Sequence, residues 1–199
     1  MARIFSEPVP NWESRFVFDM QGRAVASDEW YTPLEIIQSL GEFDLDPCAP
    51  MKPLWQTARV MINKEQDGLS KEWKGRVWLN PPYQQSLITQ FMRRMGEHKN
   101  GIALVFAKID SRMFRDHIYP NCDSICLLRK RIRFYNEQGQ QPASPNNGNM
   151  LIAYTPEDTD AILRSGLDVQ RDMRHMDLVS IDLTFVTSPR VLMAISLHR

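Results

Sequence analysis

The sequence predicts an α/β domain, a doubly wound, mostly parallel sheet with an antiparallel hairpin on one edge. Three observations carry this. Short apolar runs alternate with amphipathic segments through the first two-thirds of the chain, the pattern of βα units around a parallel sheet. The run Ile102-Ala103-Leu104-Val105-Phe106-Ala107 has no polar face, as expected of a strand buried on both sides. The last third instead alternates, at Val179, Ile181, Leu183 and Phe185 and again from Val191 to Leu197, with weak helical punctuation. That suits antiparallel edge strands.

The elements run in order along the chain. Residues 1–28 carry Pro8, Pro10 and Gly22 and show no period; they read as an irregular arm with at most a short strand at Phe16-Val17-Phe18. Residues 29–199 read as a single domain. Thr32-Pro33-Leu34-Glu35 has the form of a capping box with proline at the first helical position. The helix it opens runs through Ile36, Ile37 and Leu40 to a stop at Gly41. Phe43-Asp44-Leu45-Asp46 is a short strand ended by Pro47, and Ala58 to Ile62 is a second. Asp67-Gly68-Leu69 is a turn, with Trp73 as an anchor between it and the next strand. Arg76-Val77-Trp78-Leu79 is a buried strand that Pro81 and Pro82 terminate, since neither can donate to a ladder. Leu87, Ile88, Phe91, Met92 and Met95 recur at helical spacing and predict a helix over 84–97. A short helix near 111–119, a strand at Ser124 to Leu128, a polar loop over 136–148 and a strand from Asn149 to Tyr154 come next. Thr155-Pro156 starts a helix that ends at Gly166, and 167–199 is a C-terminal tail holding the alternating strands.

The chain has 199 residues, 43% of them hydrophobic, which suits one domain with an ample core. Lys and Arg balance Asp and Glu at 24 each, so no global field favours or opposes nucleic acid. Nothing approaches a membrane-spanning run or a signal peptide, and a cytoplasmic protein without membrane contact is expected. Cys48, Cys122 and Cys126 cannot all pair and lack zinc spacing; free thiols and no metal are expected.

Asn80-Pro81-Pro82-Tyr83 is the stretch richest in chemistry. A strand that stops this abruptly presents its last residues at the carboxyl end of a sheet, where ligands of open α/β sheets bind. It offers a side-chain amide, stiff carbonyls and a ring, a set that suits a planar amine. Asp46 and the Lys108 to Asp110 region lie at other strand ends and converge on the same rim. Asp46 and Asp67 also fit the simpler reading of turn formers beside proline and glycine. Arg129, Lys130, Arg131 and Arg133 put four cations in five residues, followed by Phe134 and Tyr135. Cations beside aromatics suit a phosphate backbone and an unstacked base.

Four pieces occur in order over about residues 28–154: Trp30-Tyr31-Thr32-Pro33; Phe43-Asp44-Leu45-Asp46-Pro47-Cys48-Ala49; Asp67-Gly68-Leu69 with Trp73; and Val77-Trp78-Leu79-Asn80-Pro81-Pro82-Tyr83. In that combination the chain resembles the phage-type DNA adenine-N6 methyltransferase (Dam) family. The resemblance implies the Rossmann-like methyltransferase fold, S-adenosyl-L-methionine as cofactor and DNA as partner. It also implies methyl transfer to the N6 amine of a flipped-out adenine, in a bacterial host cell and from a phage or prophage gene. Asn80 and the Pro81 carbonyl would accept the two amine hydrogens, with Pro82 stiffening the corner and Tyr83 stacking on the base. Asp46, Pro47, Cys48 and Ala49 would line the cofactor pocket, Asp67 would approach its adenosine, and Thr32 and Pro33 its methionine end. The turn after Asp46 holds no glycine, unlike the first turn of many methyltransferases, so the cofactor would meet a stiff loop.

Adenine's amine is a poor nucleophile because its lone pair is delocalised. Two acceptors on its hydrogens favour a localised lone pair, and that stabilisation grows toward the transition state. Only 33 residues separate Asp46 from Asn80, too few for an inserted recognition domain. Target reading is therefore expected from the basic cluster and from Asn146 and Asn147 in the polar loop, with a homo-oligomer as a way to extend the surface. Two other classes stay open. One is a methyltransferase acting on RNA or on a protein glutamine amide; the other is a non-catalytic nucleic-acid-binding module of methyltransferase shape.

Overall fold

The computed structural model describes residues 30–141 and 147–172, together with strands β1 (Val17–Phe18) and β2 (Ala24–Val25). Those two pair antiparallel as a separate sheet. The irregular arm expected at 1–28 thus holds a second strand, β2, beside the short one anticipated at Phe16 to Phe18.

The main sheet has seven strands: β3 (Leu45–Asp46), β4 (Val60–Met61), β5 (Val77–Leu79), β6 (Gly101–Phe106), β7 (Ser124–Leu128), β8 (Asn149–Ala153) and β9 (Val169–Asp172). Their order is β4-β3-β5-β6-β8-β7-β9. The first four are mutually parallel. β8 is antiparallel to both β6 and β7, and β9 is antiparallel to β7. β7 therefore runs in the direction of β3 to β6, and one strand of opposite sense is wedged among parallel ones. The expectation of antiparallel strands in a mostly parallel sheet holds, but their placement differs. β8 is interior, and the described edge strand is β9, at the start of the C-terminal tail. The strands expected at 179–185 and 191–197 lie outside the described residues.

Alternate residues of the central strands enter two separate cores. Val77, Leu79, Ala103, Val105, Met150 and Ile152 face one side, where helix α2 (Gln85–His98) packs Ile88, Phe91, Met92 and Met95. Trp78, Ile102, Leu104, Leu151 and Ala153 face the other, where helices α1 (Leu34–Ser39) and α3 (Pro156–Arg164) pack Ile36, Ile37, Leu40 and Ile162. Helices thus cover both faces, which is why these strands read as unbroken apolar runs. Among the described residues no helix is long and apolar enough to cross a membrane.

Helix ends match the local rules at both ends of α3 and after α1, and break them at the start of α1. Thr155 caps α3 by accepting the Asp158 N–H at 3.1 Å, with Pro156 at the first turn. Gly166 follows α3 at φ 75° and Gly41 follows α1 at φ 91°, conformations that favour glycine. At the start of α1, however, the boundary residue is Pro33 and no side chain caps the helix. The capping box expected at Thr32 does not form, because the Thr32 hydroxyl is engaged elsewhere. The short helix expected at 111–119 is a π-helical turn at Phe114–Ile118, with Tyr119 N–H donating to the Phe114 carbonyl.

Candidate active site

β3, β5 and β6 are parallel and end on one rim. The N-terminal end of β8 reaches the same rim, since Phe106 pairs with Asn149. Asp46, the last residue of β3, and Asn80, directly after β5, are brought together there. Both line a small cleft of about 30 Å³, along with Trp30, Tyr31, Thr32, Cys48, Pro50, Trp55, Thr57 and Trp78.

The Asn80 amide is oriented by its surroundings. An amide has two N–H hydrogens and one oxygen. Nδ2 donates to the Trp30 carbonyl and to Thr32 Oγ1, each at 3.3 Å. Both donors are used, so the oxygen turns the other way. Oδ1 is buried and has no hydrogen-bond partner among the described residues. A buried acceptor in that state costs about 1–3 kcal/mol, a penalty a fold retains where the group has a task.

Asp46 is 3% exposed. Its carboxylate accepts the Cys48 N–H at 2.9 Å and the Thr57 hydroxyl. The first bond is the turn-forming role that proline beside aspartate suggested, and the cleft position is the functional one; Asp46 has both. Burial raises its pKa to about 6, opposed by the Thr57 and Cys48 hydrogen bonds. Neither of these partners is a cation, so the carboxylate is desolvated without a counter-charge. Burial, with the Asp46 charge as a second cause, pushes the Cys48 thiol well up, making it a poor nucleophile.

Other expected site residues lie beside the cleft rather than in its wall. Pro33, Pro47, Ala49 and Pro81 are buried, and Pro82 is half-buried. Tyr83 is half-buried, one face stacked on Phe106 at 4.1 Å and 26°. Asp67 is exposed in a turn with φ 55°, its carboxylate accepting the Leu69 N–H. Its neighbour Gly68 explains the turn. A Cβ there would sit 2.0 Å from the Pro47 carbonyl oxygen, and the Gly68 carbonyl accepts the buried Trp73 indole N–H at 2.7 Å. Gly68 and Trp73 thereby pack this turn against the loop after Asp46.

The basic stretch divides by alternation. Arg129, Lys130, Arg131 and Arg133 are exposed, while Ile132 and Phe134 are buried in the core on the α1 side. Phe134 is thus a core residue and not a platform for a base, a correction to the pairing of cations with aromatics read from sequence. Tyr135 packs edge-on against Trp55 at 5.2 Å. Its backbone forms a two-bond bridge with Tyr31: Tyr31 N–H donates to the Tyr135 carbonyl at 3.0 Å and Tyr135 N–H to the Tyr31 carbonyl at 2.9 Å. The cations therefore lie along the cleft's margin. Arg129 also faces Asp168 at 3.7 Å. The polar loop begins as a tight turn in which the Asn136 side-chain oxygen accepts from the Gln138 and Gln140 N–H groups. Asn147 is exposed, and Asn146 lies outside the described residues.

Sequence reasoning missed Trp55, Thr57 and Asn149. Asn149 is 1% exposed; its Oδ1 accepts the Ile132 N–H at 3.3 Å and its Nδ2 is buried without a hydrogen-bond partner. The signal for Asn149 was a polar residue opening an otherwise apolar strand. Trp55 and Thr57 sit in an irregular segment that gave none. Among the described residues no group of three or more His, Cys, Asp or Glu side chains is placed to hold a metal ion.

Compared with protein families, the chain matches the sequence model for DNA N-6-adenine-methyltransferase (Dam) over residues 21–176, which spans the whole cleft and the main sheet. The comparisons with curated proteins and with solved structures each return no match.

Proposed function

The chain belongs to the DNA N-6-adenine-methyltransferase (Dam) family, and from that premise we propose that it methylates the N6 amine of an adenine extruded from DNA, using S-adenosyl-L-methionine. The observation that carries this reading is the buried, partnerless Oδ1 of Asn80 at the rim. An amine hydrogen is the partner it lacks.

The cleft's donor set fits the cofactor. Asp46 is a buried carboxylate short of a counter-charge, and the α-amino and sulfonium charges would supply one. Trp30 and Trp55 offer aromatic surface for an adenine ring. Pro33, Pro47, Cys48 and Ala49 complete the surroundings, and Asp67 is assigned to the adenosine. When bound, the cofactor supplies an electrophilic methyl group on sulfur. The chain's part is to position the amine. Asn80 Oδ1 accepts one hydrogen, and the Pro81 carbonyl, held by two fixed proline φ angles, accepts the other. Pulling on both hydrogens localises the nitrogen lone pair as the new bond forms, which is differential stabilisation of the transition state. The product's surplus proton is acidic enough to leave to solvent. Extruding the base costs a few kcal/mol; stacking on the Tyr83 ring offsets part of this, worth about 1–3 kcal/mol. Arg131, Arg133, Lys130 and Arg129, with Asn147, contact DNA at the cleft's margin; Asn146, assigned to the same task from the sequence, lies outside the described residues. With no recognition domain inserted between Asp46 and Asn80, a recognition site of very few base pairs and broad adenine modification are both consistent.

Incubation with methyl-labelled cofactor and DNA, RNA or protein tests the reading. Label is expected in adenine N6 of DNA, and Asn80→Ala should remove it, by at least about 10²–10³-fold, with cofactor affinity within a few-fold. Label confined to RNA or protein, or an Asn80→Ala variant with normal turnover, refutes it.

A further inference from the structure

We propose that Thr32 is a positioning residue whose hydroxyl holds the Asn80 amide in place against the Trp30 carbonyl; this rests on the reading of Asn80 given above. An asparagine side chain is two-fold ambiguous. Rotating its terminal torsion by half a turn exchanges a donor for an acceptor with little change in shape. At a site that must accept an amine hydrogen, the flipped amide would present N–H to N–H. Something must therefore break the ambiguity.

Two groups do so. The Trp30 carbonyl can only accept, and Asn80 Nδ2 lies 3.3 Å from it. Thr32 Oγ1, also 3.3 Å away, accepts the second hydrogen. Flipping the amide would set Oδ1 against a carbonyl oxygen, a lone-pair repulsion, and would leave one hydrogen bond in place of two. Thr32 is 3% exposed, so no water replaces its hydroxyl. The segment carrying both acceptors is itself clamped. Tyr31, between them, exchanges two backbone hydrogen bonds with Tyr135, and its hydroxyl donates to the Lys52 carbonyl at 2.9 Å. The absence of a capping bond from Thr32 to α1 is then explained. Its hydroxyl faces a side chain 48 residues away instead of the helix after it.

Thr32→Val keeps the shape of the side chain and removes the acceptor, and Thr32→Ser keeps the acceptor. Two readouts separate a positioning role from a cofactor contact. The first is the side-chain amide cross-peak of Asn80 in 1H–15N spectra, assigned by its loss in Asn80→Asp. It is expected to shift and its hydrogens to exchange faster in Thr32→Val but not in Thr32→Ser. The second is kinetic. In Thr32→Val, kcat is expected to fall roughly 10- to 100-fold, the scale of a small misplacement of a catalytic group. The cofactor Kd by calorimetry and KM for DNA should stay within a few-fold, and Thr32→Ser should recover most of the rate. A Thr32→Val variant that weakens cofactor binding while the Asn80 cross-peak stays put would overturn the proposal in favour of a cofactor contact. A shifted cross-peak with unchanged kcat would also overturn it. Neither outcome touches the proposed role of Asn80, whose own failure is read separately as turnover in Asn80→Ala.

Discussion

The two rims of the central sheet each bury an aspartate, and the two are treated in opposite ways. At the rim where the parallel strands begin, Asp158 of α3 is 1% exposed with every bond answered. One oxygen accepts from Arg76 Nε at 2.7 Å; the other accepts the Gly101 N–H and the Thr155 hydroxyl, each at 2.8 Å. Arg76 in turn donates to the Leu40 and Glu42 carbonyls and lies 4.4 Å over the Phe43 ring. This knot joins α1, α3 and the starts of β3, β5 and β6. At the opposite rim Asp46 is buried with a hydroxyl and an N–H but no cation, and near it Asn80 Oδ1 and Asn149 Nδ2 have no hydrogen-bond partner. Around Asp158 each bond is answered and a rigid base results; around Asp46 and Asn80 groups are left short that a ligand can finish. Incomplete pairing is not confined to that rim, since the buried Tyr154 hydroxyl beside the start of β6 also has no hydrogen-bond partner among the described residues.

The largest effect that would test this contrast is at the completed rim. Asp158→Ala leaves the Arg76 guanidinium half-buried without its ion pair and the Gly101 N–H without an acceptor. Breaking a buried pair by removing one partner costs about 3–5 kcal/mol, so denaturant unfolding should show a loss of that order. At the open rim, Asn80→Ala removes a partnerless oxygen together with two long hydrogen bonds and should cost less than the Asp158 variant, about 1–2 kcal/mol, while removing turnover. If both variants unfolded alike, the distinction between the rims would fail.

Next in size is the titration of Asp46. Its folded pKa, about 6, lies above the ordinary 3.8, so between these values the folded state holds more proton than the unfolded one. Stability therefore falls as pH rises from about 4 through about 6 and is level above. The shift corresponds to about 3 kcal/mol of strain in the ionised form. Asp46→Asn should lose this slope and be more stable than the parent at pH 8, though not at pH 4, in thermal unfolding followed across that range. The gain should come with weaker cofactor binding. A stable variant that bound cofactor normally would show that the desolvated carboxylate serves neither purpose.

How much of this was legible in the sequence depends on the range of the interactions. Strand ends were readable because proline stops a ladder locally at Pro47 and Pro81, and helix ends because Gly41 and Gly166 take a conformation that other residues resist. Asp46 and Asn80 were readable for the same reason, as polar residues placed by those stops. Thr32 misled because local rules compare it only with residues three or four positions on, whereas its partner is Asn80. The insertion of β8 between β6 and β7 is a long-range pairing that no local period encodes. β9, as Val169-Gln170-Arg171-Asp172, has too little apolar alternation to announce itself. Phe134 was misread despite an available signal. Arg131-Ile132-Arg133-Phe134 alternates with period two, which already puts the cations on one side and the aromatic in the core.

That alternation leads to the smallest expected effect, which concerns the margin of the open rim. Arg131 and Arg133 are exposed on either side of buried Ile132, while Arg129 already faces Asp168. The Tyr31–Tyr135 bridge fixes this stretch beside the cleft, so a phosphate held there would sit within reach of an adenine turned into it. Replacing both residues with serine leaves the buried side chains in place and should alter stability by no more than about 0.5 kcal/mol. DNA binding should weaken evenly across sequences, because phosphates carry no base identity. The plot of log affinity against log salt should become shallower by about 0.9 for each phosphate no longer neutralised. Cofactor affinity should be unaffected. An unchanged salt slope would place the DNA path on another face of the sheet's rim, and a loss confined to one target sequence would mean that these arginines read bases.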